Sequence, residues 1–196
     1  MIIDKQKITD ELNNCKEIID NAQLPLWDDL PKLELYMDQV VMLLNEYLEY
    51  IPKINPDEKS VTSSMINNYV KMKIIPAPNK KKYSRIHLSR LIIICSLKKS
   101  LNISTVFKLL PETEDEEENK RIYNAFVKSR REALNNNLIL LTREFNAALT
   151  SDNETEIGDM ITRMAVATDL HKMYVEKFAG AVFEKEAVET KKAEKK

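Results

Sequence analysis

Only two glycines, Gly158 and Gly180, occur in the 196 residues of this chain, and that scarcity constrains its fold more than any other feature. Tight hairpins, bulges and barrel corners draw on glycine because it reaches left-handed backbone at no steric cost. A chain this poor in glycine, and rich in Leu, Ile, Lys, Glu and Asn, is expected to be all-α or mainly α, not a sandwich or barrel. Its length suits one well-buried core, or a compact domain with an accessory element.

Charge is distributed very unevenly. The formal net charge is −1, yet residues 60–111 hold 10 Lys and Arg and no Asp or Glu, between flanks of net −7 over 1–59 and −4 over 112–196. A solvated face normally mixes signs, so a stretch that excludes carboxylates in a chain that is 31% charged points to a polyanionic partner. Cys15 and Cys95 stand far apart without CxxC or Cys/His spacing, which implies neither a disulfide framework nor a zinc site and suits a reducing cytoplasm. The opening "MIIDKQKITDEL" turns acidic before an apolar segment forms, and apolar runs such as 91–95 are too short for a bilayer. The expectation is a cytoplasmic protein, neither secreted nor membrane-embedded.

Apolar periodicity divides the chain. Ile8, Leu12, Cys15 and Ile19 place an amphipathic helix within an N-terminal unit, 1–23. "AQLPLWDDLP" breaks it; Asp28 or Asp29 then caps a second helix with Pro31 in its first turn and Leu33, Met37, Val40, Val41, Leu44 and Leu48 as its stripe. "YIPKINPDEKS" reads as a linker. Thr62 or Ser63 caps a short helix that stops before Pro76, "PAPNKKKY" is an extended basic loop, and Ser84 caps a helix over 85–99 with nearly all-round burial. A short helix over 104–110 is expected with Ser104 as its cap. The acidic run "PETEDEEEN" at 111–119 marks a domain boundary and a helix N-terminus, closing a unit over 24–111. Beyond it, 112–185 reads as an α-hairpin, with Ile122, Phe126, Leu134, Leu138, Leu141 and Phe145 on one helix, Ile157, Met160, Ile161, Met164, Val175 and Phe178 on the other, and "TSDNETE" as the turn. Residues 186–196 form a polar, frayed tail.

The function-bearing pattern lies in the acid-free segment. On a helix from Thr62 to Lys73, Ser64, Asn67, Asn68 and Lys71 share one face, opposite Met65, Ile66, Tyr69 and Met72. Asn bonds adenine bidentately, Ser bonds base edges or phosphate, and Lys bonds guanine or phosphate, so these four are candidate base contacts. Taken alone the face is equally a wet side of an amphipathic helix. Lys80, Lys81, Lys82 and Tyr83, on a proline-stiffened loop, and then a helix with Arg85 and Arg90 supply candidate phosphate contacts, with Tyr69 added. Catalytic or metal chemistry finds no support: His87 and His171 are isolated, the two glycines make no phosphate-cradling loop, and Cys95 sits in an apolar run. No enzyme activity, metal or cofactor is expected, and His171 is expected as a partly buried structural histidine.

The stretch "VTSSMINNYVKMKIIPAPNKKKYSRIHLSRLIIICSLKKSLNISTVFKLL" resembles the DNA-binding half of the MerR-type regulators, in its recognition helix ending in Tyr-x-x-x-x-Ile-Ile-Pro, its basic wing before Tyr-Ser, and its following helix with Leu-x-Arg-Leu. Residues 24–110 as a whole, with "LPLWDDLPKLELYMDQVVMLLNEYL", resemble a Gram-positive bacterial family, domain of unknown function 1836. The resemblance implies a winged helix-turn-helix. By position, Asn67 and Asn68 stand where the MerR pattern has Arg-Tyr, Tyr69 matches its second Tyr, Lys81 matches the wing Arg, and Lys73 replaces the usual glycine after the recognition helix. The resulting expectation is a DNA-binding transcriptional regulator of MerR-like type, a homodimer on double-stranded DNA with an unassigned effector and no membrane role. The alternative is a non-catalytic interaction module that sets its basic face on an acidic protein, or has it masked by residues 112–118.

Overall fold

A computed structural model describes residues 4–50, 60–151 and 155–193, with side chains through 182. The expected linker lies outside the described residues over 51–59, as do 152–154 of the expected turn and 194–196 of the tail. Among the described residues the chain forms seven helices, α1 Lys5–Asn21, α2 Met37–Tyr47, α3 Ser63–Lys71, α4 Arg85–Leu97, α5 Ile103–Lys108, α6 Glu116–Thr150 and α7 Glu156–Ala193. Two short strands, β1 Leu35–Tyr36 and β2 Lys82–Tyr83, pair antiparallel, Leu35 opposite Tyr83 and Tyr36 opposite Lys82.

Helix α4 is the axis of the core. Its run of Leu and Ile leaves no polar stripe, and every residue from His87 to Cys95 is buried, with α2, α5, α6 and β2 packed around it. Burying each of Leu88, Leu91, Ile92, Ile93 and Ile94 is worth roughly 2 kcal/mol against exposure. Arg90 lies inside this packing, not at the surface. Its guanidinium donates to the backbone oxygens of Pro111 (2.6 Å) and Thr113 (3.0 Å) and to Oδ1 of Asn119 (3.1 Å). Burial pushes the Arg90 pKa down, with the charge of Glu112 opposing.

That triple contact fastens α6 to α4, and the core runs past the expected boundary at 111–119. Asn119, Tyr123 and Val127 are buried with the α4 residues, and Ile122 and Phe126 pack beside them. Tyr123 meets Trp27 edge-on at 6.4 Å and donates to Pro25 O at 2.8 Å, while Asn124 Oδ1 accepts from Trp27 N–H at 2.9 Å. These bonds also correct the expected start of the second helix. Leu24, Trp27 and Leu30 are drawn into the core through a single 3₁₀ turn, Trp27–Asp29, and Leu30 is extended ahead of Pro31 as a pre-proline residue prefers, so α2 begins only at Met37.

Other ends follow local chemistry. Thr62 caps α3, its hydroxyl accepting from Met65 N–H at 3.3 Å, as expected. For α5 the cap is Asn102, not Ser104: Asn102 Oδ1 accepts from Thr105 N–H at 2.8 Å and from the Ser104 hydroxyl at 2.6 Å, and the helix starts one residue earlier than expected. Asn45 ties α2 to the approach to α3, its side-chain amide exchanging bonds of 2.8 and 3.1 Å with the backbone of Val61. Past Val127, α6 and α7 share a small second cluster, Ala148, Ile157 and Met160, against which Ile8, Phe145 and Leu149 pack. Helix α1 has no buried residue, and His171 on α7 is exposed, contrary to the expectation of partial burial, because α7 has little packed on it at that level.

Replacing Arg90 with Met is expected to leave the buried Asn119 Oδ1 without its donor and to cut the tie to Pro111 O, while Thr113 O keeps its bond from Asn119 Nδ2 at 3.0 Å, and to lower stability by about 2 kcal/mol, read from urea unfolding. Lysine, with a single point charge, should recover little of that loss.

Candidate nucleic-acid interface

The α3 helix presents its polar face as its spacing requires. Ser64, Asn67, Asn68 and Lys71 are exposed, and none makes a side-chain hydrogen bond to another described residue, while Ile66 and Tyr69 are buried on the other side. Met72, expected on the buried side, is exposed because the helix has ended. Tyr69 is therefore a core residue, not a phosphate contact; burial, aided by Cys95, pushes its pKa up to about 12. Burial likewise raises Cys95 to about 11, which leaves its thiol protonated at neutral pH.

The end of α3 closes with Ile74 N–H on Tyr69 O at 2.9 Å and Lys73 N–H on Val70 O at 3.0 Å, a Schellman motif whose left-handed position is Lys73 at φ 57°. Ile74 and Ile75 are buried and anchor the approach to the basic loop. The chain then turns at Asn79–Lys82, where Lys82 N–H donates to Asn79 O at 2.8 Å and both central residues are left-handed, Lys80 at φ 46° and Lys81 at φ 65°. Primed hairpin turns require that geometry and ordinarily recruit Asn or Gly for it. Among the described residues every position with positive φ is thus a lysine, and Lys71, Lys73, Lys80 and Lys81 are all exposed without a carboxylate partner.

The remaining candidates divide. Lys82 is half-buried, its ammonium 5.5 Å above the ring of Tyr36 on the paired strand. Arg85 is half-buried at the start of α4; Nε donates to Leu30 O at 3.2 Å and one terminal nitrogen is buried without a partner among the described residues. Tyr83 and Arg90, expected on phosphate, are in the core: Tyr83 is buried with its pKa raised by that burial, and Arg90 bridges α4 to α6. Sequence reasoning passed over Lys73 as a cation of this surface. The glycine shortage was the available signal, since left-handed positions in such a chain must fall to other residues.

His87 supports this surface from within. Its Nδ1 accepts from Ser84 N–H at 3.0 Å and lies 2.9 Å from the Ser84 hydroxyl, closing the first turn of α4, and its ring meets Tyr83 edge-on at 5.4 Å. Burial lowers the His87 pKa, opposed by the backbone at Ala77 and Pro76 and by Glu34. The acidic run is used locally: Asp115 caps α6 through Glu118 N–H at 2.7 Å, and Glu118 pairs with Arg121 at 2.7 Å, which holds its carboxyl below the usual range. Helix α6 packs on α4, α1, α7 and the 3₁₀ turn.

Residues 25–126, a little over half of the chain, match the family described as Domain of unknown function (DUF1836). The chain belongs to that family. The DUF1836 match spans the core built on α4, ends on the buried first turns of α6, and leaves α1 and most of the α6–α7 hairpin outside. No curated protein and no solved structure matches the chain. Among the described residues no His, Cys, Asp and Glu group is placed to hold a metal ion, and no helix is long and apolar enough to cross a membrane.

Two outcomes check this geometry. Lys73→Gly, and the pair Lys80→Gly with Lys81→Gly, are each expected to raise the folding stability by about 1 kcal/mol per relieved residue, read as a higher melting temperature, in contrast to most glycine substitutions. Because the folded His87 pKa lies below its unfolded value of 6.5, its contribution is complete above pH 6.5 and is lost as pH falls through the folded value. His87→Gln, which keeps an acceptor at the third helical position, should flatten the part of the urea-midpoint profile just below pH 6.5.

Proposed function

We propose that this DUF1836 protein is a DNA-binding transcriptional regulator that uses α3 and the Lys80–Lys81 turn as the recognition helix and wing of a MerR-like winged helix-turn-helix. The observation that carries the reading is the set of three left-handed lysines. A non-glycine residue in that conformation costs about 1 kcal/mol, and here the cost is borne three times by a cation within a segment that excludes carboxylates. A polyanion gives those charges a use that folding alone does not.

In this reading Ser64, Asn67, Asn68 and Lys71 face base edges, and Lys73, Lys80 and Lys81 hold the backbone of double-stranded DNA, flanked by Lys82 and Arg85. Tyr69, Tyr83 and Arg90 act one step removed, by holding α3, β2 and α4 in place. Short helices read few base pairs, so the regulator works as two copies on symmetric half-sites.

The test is fluorescence anisotropy with mixed-sequence duplex DNA over a salt series, with the Lys80→Gly/Lys81→Gly protein alongside. Log affinity should fall linearly with log salt, and the variant's slope should be shallower by roughly two, about 0.9 for each lost phosphate contact, although its fold is the more stable. Absence of binding at low salt would falsify the reading and direct the search to acidic protein partners.

A further inference from the structure

Helix α7 is held at two places and open between them. Ile157 and Met160 pack on Ala148 of α6; farther along, Ala179 is buried and Glu176 accepts from Asn102 at 2.9 Å beside α5. Between these anchors Ile161, Met164, Thr168, His171, Val175 and Phe178 recur at alternating steps of three and four, one stripe of the helix, and all six are exposed, Ile161 at 54% and Phe178 at 68%. A monomer seldom leaves such a row uncovered.

We infer that this stripe is the interface on which a second copy of the chain docks its own α7, antiparallel, about a two-fold axis between Thr168 and His171. The self-complementary order of the stripe identifies the occupant. Antiparallel helices pair the two kinds of seam position with each other, so reading the stripe against its own reverse sets Ile161 on the partner's Phe178, Met164 on the partner's Val175 and Thr168 on the partner's His171. Each apolar residue meets an apolar one. The polar pair falls at the axis: the Thr168 hydroxyl, which donates to Met164 O at 2.9 Å within its own helix, turns there to donate to Nε2 of the partner's His171, a nitrogen that an unrelated apolar helix would bury unmatched. The hydrogen bond of His171 Nδ1 to Ala167 O, 2.7 Å, leaves Nε2 directed away from its own helix backbone for that meeting. Over 161–178 the seam is about 26 Å long, and symmetry doubles its four large apolar side chains to eight.

The α7 pairing is independent of the DNA reading and is tested without DNA. Sedimentation velocity of the full chain should give twice the monomer mass of 22.8 kDa in the micromolar range. Met164→Glu with Val175→Glu should give a monomer of unchanged helical circular dichroism, whereas Val166→Glu with Leu170→Glu, on another side of α7, should remain dimeric. In a Cys15→Ser background, Met164→Cys with Val175→Cys should oxidise to a covalent dimer while either single cysteine does not. A wild type that is monomeric throughout, a dimer that survives the Met164 and Val175 charges, a dimer lost instead in the control, or cross-linking by a single cysteine overturns the proposal.

Discussion

The guanidinium of Arg90 is the contact on which the remainder of the molecule depends. A charge at the centre of an apolar helix is costly to desolvate, and it is tolerated because two carbonyls and an amide oxygen surround it. Those acceptors lie at the end of one segment and the start of another, so satisfying the charge also fixes where α6 begins and how it meets α4. Once α6 is placed, Tyr123 and Asn124 reach back to Pro25 and Trp27, and the segment before β1 has no freedom left to form the helix its own sequence favours. β1 then stands where it pairs with β2, which holds the basic turn.

The surface built on that frame departs from what stability alone would choose. Three left-handed positions carry lysine, although glycine or asparagine would relieve each of them. The buried residues nearby act in the opposite sense: Tyr69, Ile74 and Ile75 anchor the end of α3, and His87 and Tyr83 anchor the return strand. Strain at the tip is sustained because the base is over-determined, a distribution expected of a site and not of a connecting loop.

Beyond the DUF1836 match the architecture thins. The second cluster is small, α1 contributes no buried residue, and α7 leaves its apolar row open over much of its described length. In the proposed α7 pairing a two-fold axis through that row would set two basic surfaces in fixed relation, so that the spacing of the proposed half-sites would follow from α7 and not from α3.

Periodicity and composition alone determined a good deal. The helical class, the polar face of α3, the caps at Thr62 and Ser84 and the all-round burial of α4 are readable because each depends on neighbours within one or two turns. Tertiary structure decided what depends on distant partners. Arg90 and Tyr83 look like surface groups until acceptors and packing from other segments take them inward. Trp27 and Leu30 abandon a plausible helix because Asn124 and Arg85 hold their backbone, and Asn102 takes the cap that Ser104 also fits. Lys73 enters the site through a backbone angle that no side-chain pattern encodes. A residue's exposure is a property of what packs over it, which is why of two basic residues expected at the surface Lys80 is exposed and Arg90 is buried.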